Sequence, residues 1–289
     1  MRKGIILAGG AGSRLYPATA AVSKQLLQIY DKPMVYFPLT TLMLAGVKEV
    51  CVISSPEHVD LYERLLGNGC QWGVDLSYCV QEKPNGLAEA YILAEDFLES
   101  ESSILLLGDN LFYGSGLSGI LQKCAAISDN FIFSTRVSDP KQFGVVETNE
   151  YEEIISIEEK PQKPRSNDAI TGMYFFDGRA PQFAKQILPS ARGELEITSL
   201  IQIYKDLESL SLIKLPRGVA WLDTGSHDGL LDAANFVRSV QSNQGLLVGS
   251  PDEVSYRNGW ITSADFRSRI DAMGSGTYAY ALRSMLSQE

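Results

Sequence analysis

The chain of 289 residues sets 35 Asp and Glu against 25 Lys and Arg, a formal charge of −10, with 45% hydrophobic and 21% charged residues. That acidic balance excludes a nucleic-acid partner, which needs a basic face, and the longest apolar runs, such as Ile104–Leu107, fall far below the ~20 residues of a membrane span. Two histidines, His58 and His227, and four cysteines without a C-x-x-C pair, Cys51, Cys70, Cys79 and Cys124, argue against a zinc site and favour reduced thiols.

Met1-Arg2-Lys3 leads straight into an apolar run with no signal-peptide h-region, so a cytoplasmic location is expected. Ile5–Ala8 has the unbroken apolar character of a strand buried on both faces. It stops at Gly9-Gly10-Ala11-Gly12-Ser13, where missing Cβ atoms let backbone N–H groups approach and cradle an anion. Arg14 and Lys24 add two cations, and a phosphate-rich ligand is the natural occupant. The loop lacks the third glycine of a dinucleotide fingerprint, since Leu15 follows Arg14, and it lacks the lysine of a P-loop. A bare G-G-x-G is as readily a tight turn with no ligand, so the flanking residues must decide.

Next, Pro33–Ala45 is expected as a helix with Pro33 near its start and Gly46 past its end. Glu49–Ser54 reads as a strand, Glu57–Leu66 as a helix and Leu76–Val80 as a strand ending at Gln81. Gly86–Leu98 follows as one amphipathic helix. Cys51 and Cys79 lie in these strand-like runs and read as small packed hydrophobes. Ser103–Leu107 is a buried strand ending in Gly108-Asp109-Asn110, at the carboxyl edge where open α/β sheets bind ligands. The alternation predicts a doubly wound, mostly parallel α/β sheet.

A less regular region follows, with strands at Phe131–Val137, Gly144–Glu147, Ile154–Glu158 and Ile170–Phe176, and it is expected to carry the pocket for a second substrate. Leu195–Leu207 and Gly229–Gln241 read as helices, Leu212–Leu215 and Val219–Leu222 as short strands, and Glu253–Tyr256, Ala264–Ile270 and Tyr278–Leu286 as short helices. The division expected is a main domain over 1–242, with a nucleotide part to about 130 and a smaller sugar-binding β region over about 131–225, then a helical extension over 243–289.

Asp109 and Asp223 each close a short apolar strand. Nucleotide-bound Mg²⁺ takes one or two protein carboxylates and completes its octahedron with phosphates and water, which two aspartates from distant segments can supply. Alone, each is better read as an Asp in a turn after a strand than as a ligand; the glycine loop favours the metal.

The longer pattern, strand, G-G-x-G-S-R-L, Pro17 and S-K-Q-L, resembles the sugar-1-phosphate nucleotidyltransferases. K-Q-L-L-Q-I-Y-D-K-P-M and L-T-T-L-M-L-A-G narrow the resemblance to the glucose-1-phosphate thymidylyltransferases, and it runs from Arg2 to the C-terminal helices. It implies dTTP and glucose 1-phosphate as substrates, Mg²⁺ on Asp109 and Asp223, and a nucleotide site at Gly9, Gly10, Gly12, Ser13, Arg14, Lys24 and Gln25. Gln81 and Gly86 match thymine-binding positions. In Glu158-Glu159-Lys160-Pro161, Lys160 is implied to grip the sugar phosphate and Glu159 a sugar hydroxyl, with Gly144 and Tyr174 beside them. Arg14, Lys24 and Lys160 would carry the catalysis. With UTP in place of dTTP the chemistry would be unchanged; an inactive nucleotide-sugar-binding regulator would be expected to lose Arg14, Lys24 or an aspartate, and all are present.

The same resemblance implies a homotetramer, with subunit contacts after Gly245, and a second, inhibitory dTDP-sugar site at Gly114, Arg217, Glu253 and Arg257. Ser118 stands where a histidine is common, which predicts weaker inhibition. Other departures are Phe143 for a tyrosine, Gln28 for a proline, and Glu82-Lys83 with Glu89 in the segment around Gln81 and Gly86.

Overall fold

The computed structural model describes residues 2–10 and 12–286, so Ala11 of the glycine loop lies outside the described residues. Four parallel strands form the centre, in the order Asp75–Val80, Glu49–Ser54, Lys3–Leu7 and Ser103–Leu107. Their side chains sort by the period of two that a pleated strand imposes. Ile6, Val50, Val52, Ile104 and Leu106 face one layer with Leu39, Leu42 and Met43; Ile5, Leu7, Cys51, Ile53 and Leu105 face the other with Tyr91, Ala94 and Leu98. Both faces are therefore buried, as continuous apolar runs require.

Beyond Ser103–Leu107 the sheet turns antiparallel. Asp168–Phe176 pairs with it through Met173–Phe176 and also meets Asn130–Arg136 and Gly144–Thr148. Gly144–Thr148 continues into the antiparallel strand Ile154–Glu159, and Leu210–Lys214 lies parallel to Asn130–Arg136. A separate ribbon pairs Asn110–Tyr113 with Ala220–Asp223. The helix His227–Gln244 packs Ala233 and Val237 against Ile29, Met34, Phe37 and Leu111. Pro251–Arg257, Ser263–Ala272 and Thr277–Leu286 follow it. Buried Asp252 joins them to the sheet layer: it accepts from Trp72 Nε1 at 3.0 Å and Tyr278 OH at 2.8 Å, and it pairs with Arg269.

Two helices differ from expectation. The first begins at Tyr36, not Pro33, because Lys32–Pro33 pairs with Gln28–Ile29 around Tyr30, whose φ of +59° turns the chain back. The expected helix Gly86–Leu98 breaks into Glu89–Leu93 and Glu95–Leu98, with Gly86 at φ +118° outside any helix. A crossing accounts for the late start: Ala88 N–H donates to Leu195 O at 3.0 Å and Leu195 N–H to Asn85 O at 2.6 Å. A Cβ on residue 86 would collide with the Leu195 backbone. Cys51 and Cys79, apart in sequence, bring their sulfurs to 3.2 Å across adjacent strands.

Candidate active site

The carboxyl ends of the central strands open into a cleft of about 970 Å³. Its wall includes Gly9, Gly10, Arg14, Lys24, Gln25, Gln81, Gly86, Asp109, Gly144, Glu159, Lys160, Tyr174 and Asp223. Gly12 and Ser13 do not line it; Gly12 instead caps the 3-10 turn Ser13–Leu15, which carries Arg14.

One end of the cleft is an acid–base cluster. Asp109 follows the strand Ser103–Leu107, and Asp223 ends the ribbon strand that pairs with Asn110. Thr224 fastens the two segments, donating its N–H at 3.0 Å and its hydroxyl at 2.7 Å to Asp109 O. Lys24 Nζ pairs with Asp109, each side chain 14% exposed. Burial alone would push the Asp109 carboxyl up, yet the Lys24 ammonium and the Asn110 amide, donating at 3.0 Å, hold it below the usual carboxylate range. Asp223 goes the other way: burial, and then the negative charge of Asp109, raise it, against the Gly225 N–H at 2.8 Å, Lys24 and Arg14. Two carboxylates that disfavour each other's charge, beside an open cleft, are the donor chemistry of a divalent-cation site. No group of three or more His, Cys, Asp and Glu is placed to hold a metal among the described residues, so other ligands would have to come from substrate or water. Arg14 reaches towards this cluster from the exposed side, its Nη1 3.5 Å from Gln142 Oε1.

The other end is more open. Glu159 pairs with Gly144 across an antiparallel hairpin, and Lys160 follows at φ +44°, its N–H donating to Phe143 O at 3.1 Å. A non-glycine residue there is held against its preference, and the result is an ammonium set just past the strand end. Lys160 Nζ lies 3.6 Å from Glu159 Oε1. Tyr174 is buried between the two ends; burial, then Glu159 and Asp109, keep its phenol neutral by raising it well above its ordinary range.

Nucleotide-transfer chemistry is what this cleft can do: cations and glycine amides at one end, two carboxylates beside them, and Lys160 with polar partners opposite. The sequence matches the nucleotidyl transferase family model over residues 3–240.

The chain belongs to the nucleotidyl transferase family.

Relatives agree. A glucose-1-phosphate thymidylyltransferase of Neisseria meningitidis is 48% identical over 99% of this chain and 100% of its own length. One of Mycobacterium tuberculosis is 46% identical over 99% of each chain. A Bacillus anthracis structure provisionally assigned the same activity, in complex with a sucrose, superposes with a TM-score of 0.76 at 36% identity, covering 82% of this chain and 96% of that one. A UDP-glucose pyrophosphorylase bound to UDP-glucose shares the fold, with a TM-score of 0.72 at 20% identity over 83% of this chain and 99% of the other.

Within this nucleotidyl transferase, the contacts of several cleft residues carry no obvious mark in the sequence. Asn110 accepts from Trp221 Nε1 at 2.6 Å and Gly172 N–H at 3.1 Å while donating to Asp109; its place beside Asp109 was the available signal. Arg192 grips Glu196 with Nη2 at 2.8 Å and reaches Glu159 at 3.3 Å. Phe143 packs edge-on to Trp221, ring centroids 5.1 Å apart. Gly114, Arg217, Glu253 and Arg257 lie outside the cleft. Gly114 abuts Gly218, next to exposed Arg217, while Arg257 Nε donates to Glu253 at 2.8 Å, a carboxyl that burial otherwise raises. No helix is long and apolar enough to cross a membrane among the described residues.

Proposed function

We propose that this chain joins dTTP and glucose 1-phosphate into dTDP-glucose and releases pyrophosphate. Relatives of that name, 46–48% identical along almost the whole chain, support the substrates. The observation that carries the reading is one cleft holding the Arg14, Lys24, Asp109 and Asp223 cluster opposite Glu159, Lys160 and Tyr174.

The reaction asks little proton chemistry of the protein. The second ionisation of a phosphate monoester falls near pH ~6, so a phosphate oxygen of glucose 1-phosphate attacks the α-phosphorus already charged. No histidine or cysteine lines the cleft among the described residues, and none is needed. The protein supplies position and charge. Lys160 holds the attacking phosphate against the repulsion of the triphosphate. Arg14, with the amides of Gly9 and Gly10, stabilises charge on the departing pyrophosphate. Lys24, hydrogen-bonded to Asp109, stands where it can pass to a phosphate oxygen. Glu159 and Tyr174 orient sugar hydroxyls.

Asp109 and Asp223 would hold Mg²⁺, which when bound neutralises phosphate charge; the raised carboxyl of Asp223 is the mark of a site that welcomes a cation. A homotetramer with contacts through the helices after Gly245 belongs to the same reading, as does a cytoplasmic location. So does a weak dTDP-sugar inhibitory site at Gly114, Arg217, Glu253 and Arg257, with Ser118 on the adjoining helix Leu117–Ala125.

The test is pyrophosphate release from dTTP, UTP, CTP, ATP and GTP with glucose 1-phosphate and Mg²⁺. Turnover should be greatest with dTTP and should vanish on chelation. Preference for UTP would move the chain to a different member of the family, and absence of turnover with every triphosphate would leave only nucleotide-sugar binding.

A further inference from the structure

Two thiols meet outside the cleft and take no part in the transfer. Cys51 and Cys79 belong to neighbouring parallel strands, and Cys51 Sγ donates to Cys79 Sγ at 3.2 Å. Cys51 is fully buried, while Cys79 is half-buried on Asp75–Val80, the edge strand of the sheet. Ser77, opposite Cys51 in register, adds a buried hydroxyl without a hydrogen-bond partner.

A cysteine reacts as its thiolate, and a donor beside the sulfur favours that form. Cys51 supplies the donor. It lowers Cys79 against burial and the charge of Asp96, and is itself raised by holding the shared proton. The pair divides into a reachable sulfur inclined to ionise and a buried one that stays protonated, as an attacking and a resolving cysteine do. The register also sets Cys79 opposite Ile53, so the two cysteines stand two residues out of step. Such a diagonal is about 7–8 Å, and a disulfide wants Cα atoms within ~7 Å, so closing one draws a strand along its neighbour. Asp75–Val80 is held by Glu49–Ser54 on one side and is the strand free to move. Gln81 follows it directly, its N–H donating to Ser54 O at 2.8 Å and its side chain lining the cleft beside Gly9.

We propose that Cys79 and Cys51 are a modification site for hydrogen peroxide, and that the disulfide they form shifts the edge strand and weakens nucleotide binding. The Cys79 thiolate attacks one peroxide oxygen; the O–O bond breaks, hydroxide leaves and takes up a proton, and Cys79 becomes a sulfenic acid. The Cys51 sulfur then attacks that of Cys79; an S–S bond forms, the S–O bond breaks, and water departs with the Cys51 proton. Two thiols lose two electrons, and one peroxide is reduced to two waters.

The test treats the full chain carrying Cys70→Ser, which removes the exposed thiol, with hydrogen peroxide. Peptide mass spectrometry should map a disulfide between Cys51 and Cys79. KM for dTTP should rise about tenfold, the worth of roughly one hydrogen bond at the cleft wall, and dithiothreitol should reverse both changes. Adding Cys79→Ser should make KM indifferent to peroxide. Adding Cys51→Ala should stop the oxidation at a sulfenic acid on Cys79, trapped by a cyclic 1,3-diketone; Cys51→Val serves if the alanine variant does not fold. Intact thiols after peroxide, a bond made by Cys124 instead, or a loss of affinity that survives Cys79→Ser would overturn the proposal. So would a mapped Cys51–Cys79 disulfide that leaves KM unchanged. The disulfide is mapped without substrate, so failure there is distinct from failure of the dTTP reading.

Discussion

The two ends of the cleft handle charge in opposite ways. At the Asp109 end, Lys24 and Asp109 are each 14% exposed in their side chains, and Asp223 lies beside them. At the Lys160 end, the ammonium is 45% exposed and Arg192 40%. Charges kept from water are strong and already oriented, but they must be matched or they oppose folding. Charges left half in water cost little and hold their partners loosely. The first arrangement suits the reacting phosphates, where charge changes most; the second suits a sugar phosphate that must enter and leave.

The carboxyl titrations carry that contrast into stability. Asp109, held below its unfolded value, contributes stability that is present above the unfolded pKa and lost as pH falls through the folded one. Asp223, raised in the fold, binds its proton more tightly there, so its contribution weakens as pH rises through that raised range. The largest effect should come from separating the two. Asp223→Asn should lower turnover roughly a hundred- to thousandfold, yet melt at the same or a higher temperature without metal, since the Asn oxygen can still accept from Gly225. Asp109→Asn should lose turnover similarly and also cost about 3 kcal/mol, because Lys24 is left buried without its partner. Metal-free thermal melts beside pyrophosphate-release rates would show it; equal melting of the two variants would erase the asymmetry.

A smaller effect is expected at the exposed end. Lys160→Ala should raise KM for glucose 1-phosphate by about ten- to a hundredfold, or ~1.4–2.7 kcal/mol, with KM for dTTP changed less than about twofold. Equal rises for both substrates would mean that Lys160 serves the triphosphate as well. Smallest of all, Arg257→Ala removes an exposed partner of the Glu253 pair, 56% exposed and one helical turn away. Because Glu253 is 13% exposed and loses its counterion, the replacement should cost about 1 kcal/mol, and it should leave uninhibited turnover alone while weakening any inhibition by a dTDP-sugar measured in the same assay.

The same contrast separates what could be read from the sequence and what could not. Gly9, Gly10, Asp109 and Asp223 each stand directly after an apolar run, and a local pattern suffices to place them at a strand end. The late start of the expected helix Gly86–Leu98, at Glu89, comes from Leu195, more than a hundred residues away, and no local periodicity carries that contact. The ribbon strand Asn110–Tyr113 escaped because it exists by pairing with Ala220–Asp223. Arg192 reaches Glu196 and Glu159 from the segment between the helices Ala180–Ala184 and Ile197–Asp206, and its contact with Glu159 spans more than thirty residues that no local pattern links. The Cys51 and Cys79 sulfurs met because two parallel strands set their register. Propensity gave the elements; register and crossings decided which side chains share a surface.

Asp252 shows what such a crossing implies for heredity. It has no exposed surface, and three donors, from Trp72, Arg269 and Tyr278, converge on its two oxygens from three stretches of chain. Replace the acid alone, and an indole N–H, a phenol and a guanidinium are left competing for what remains. Replace Arg269 alone, and a buried negative charge loses its counterion. Each single step is penalised although a complete apolar substitution of the set need not be. Among descendants of a common ancestor, then, positions 72, 252, 269 and 278 should persist together or be exchanged together, an inherited quartet spread across more than two hundred residues.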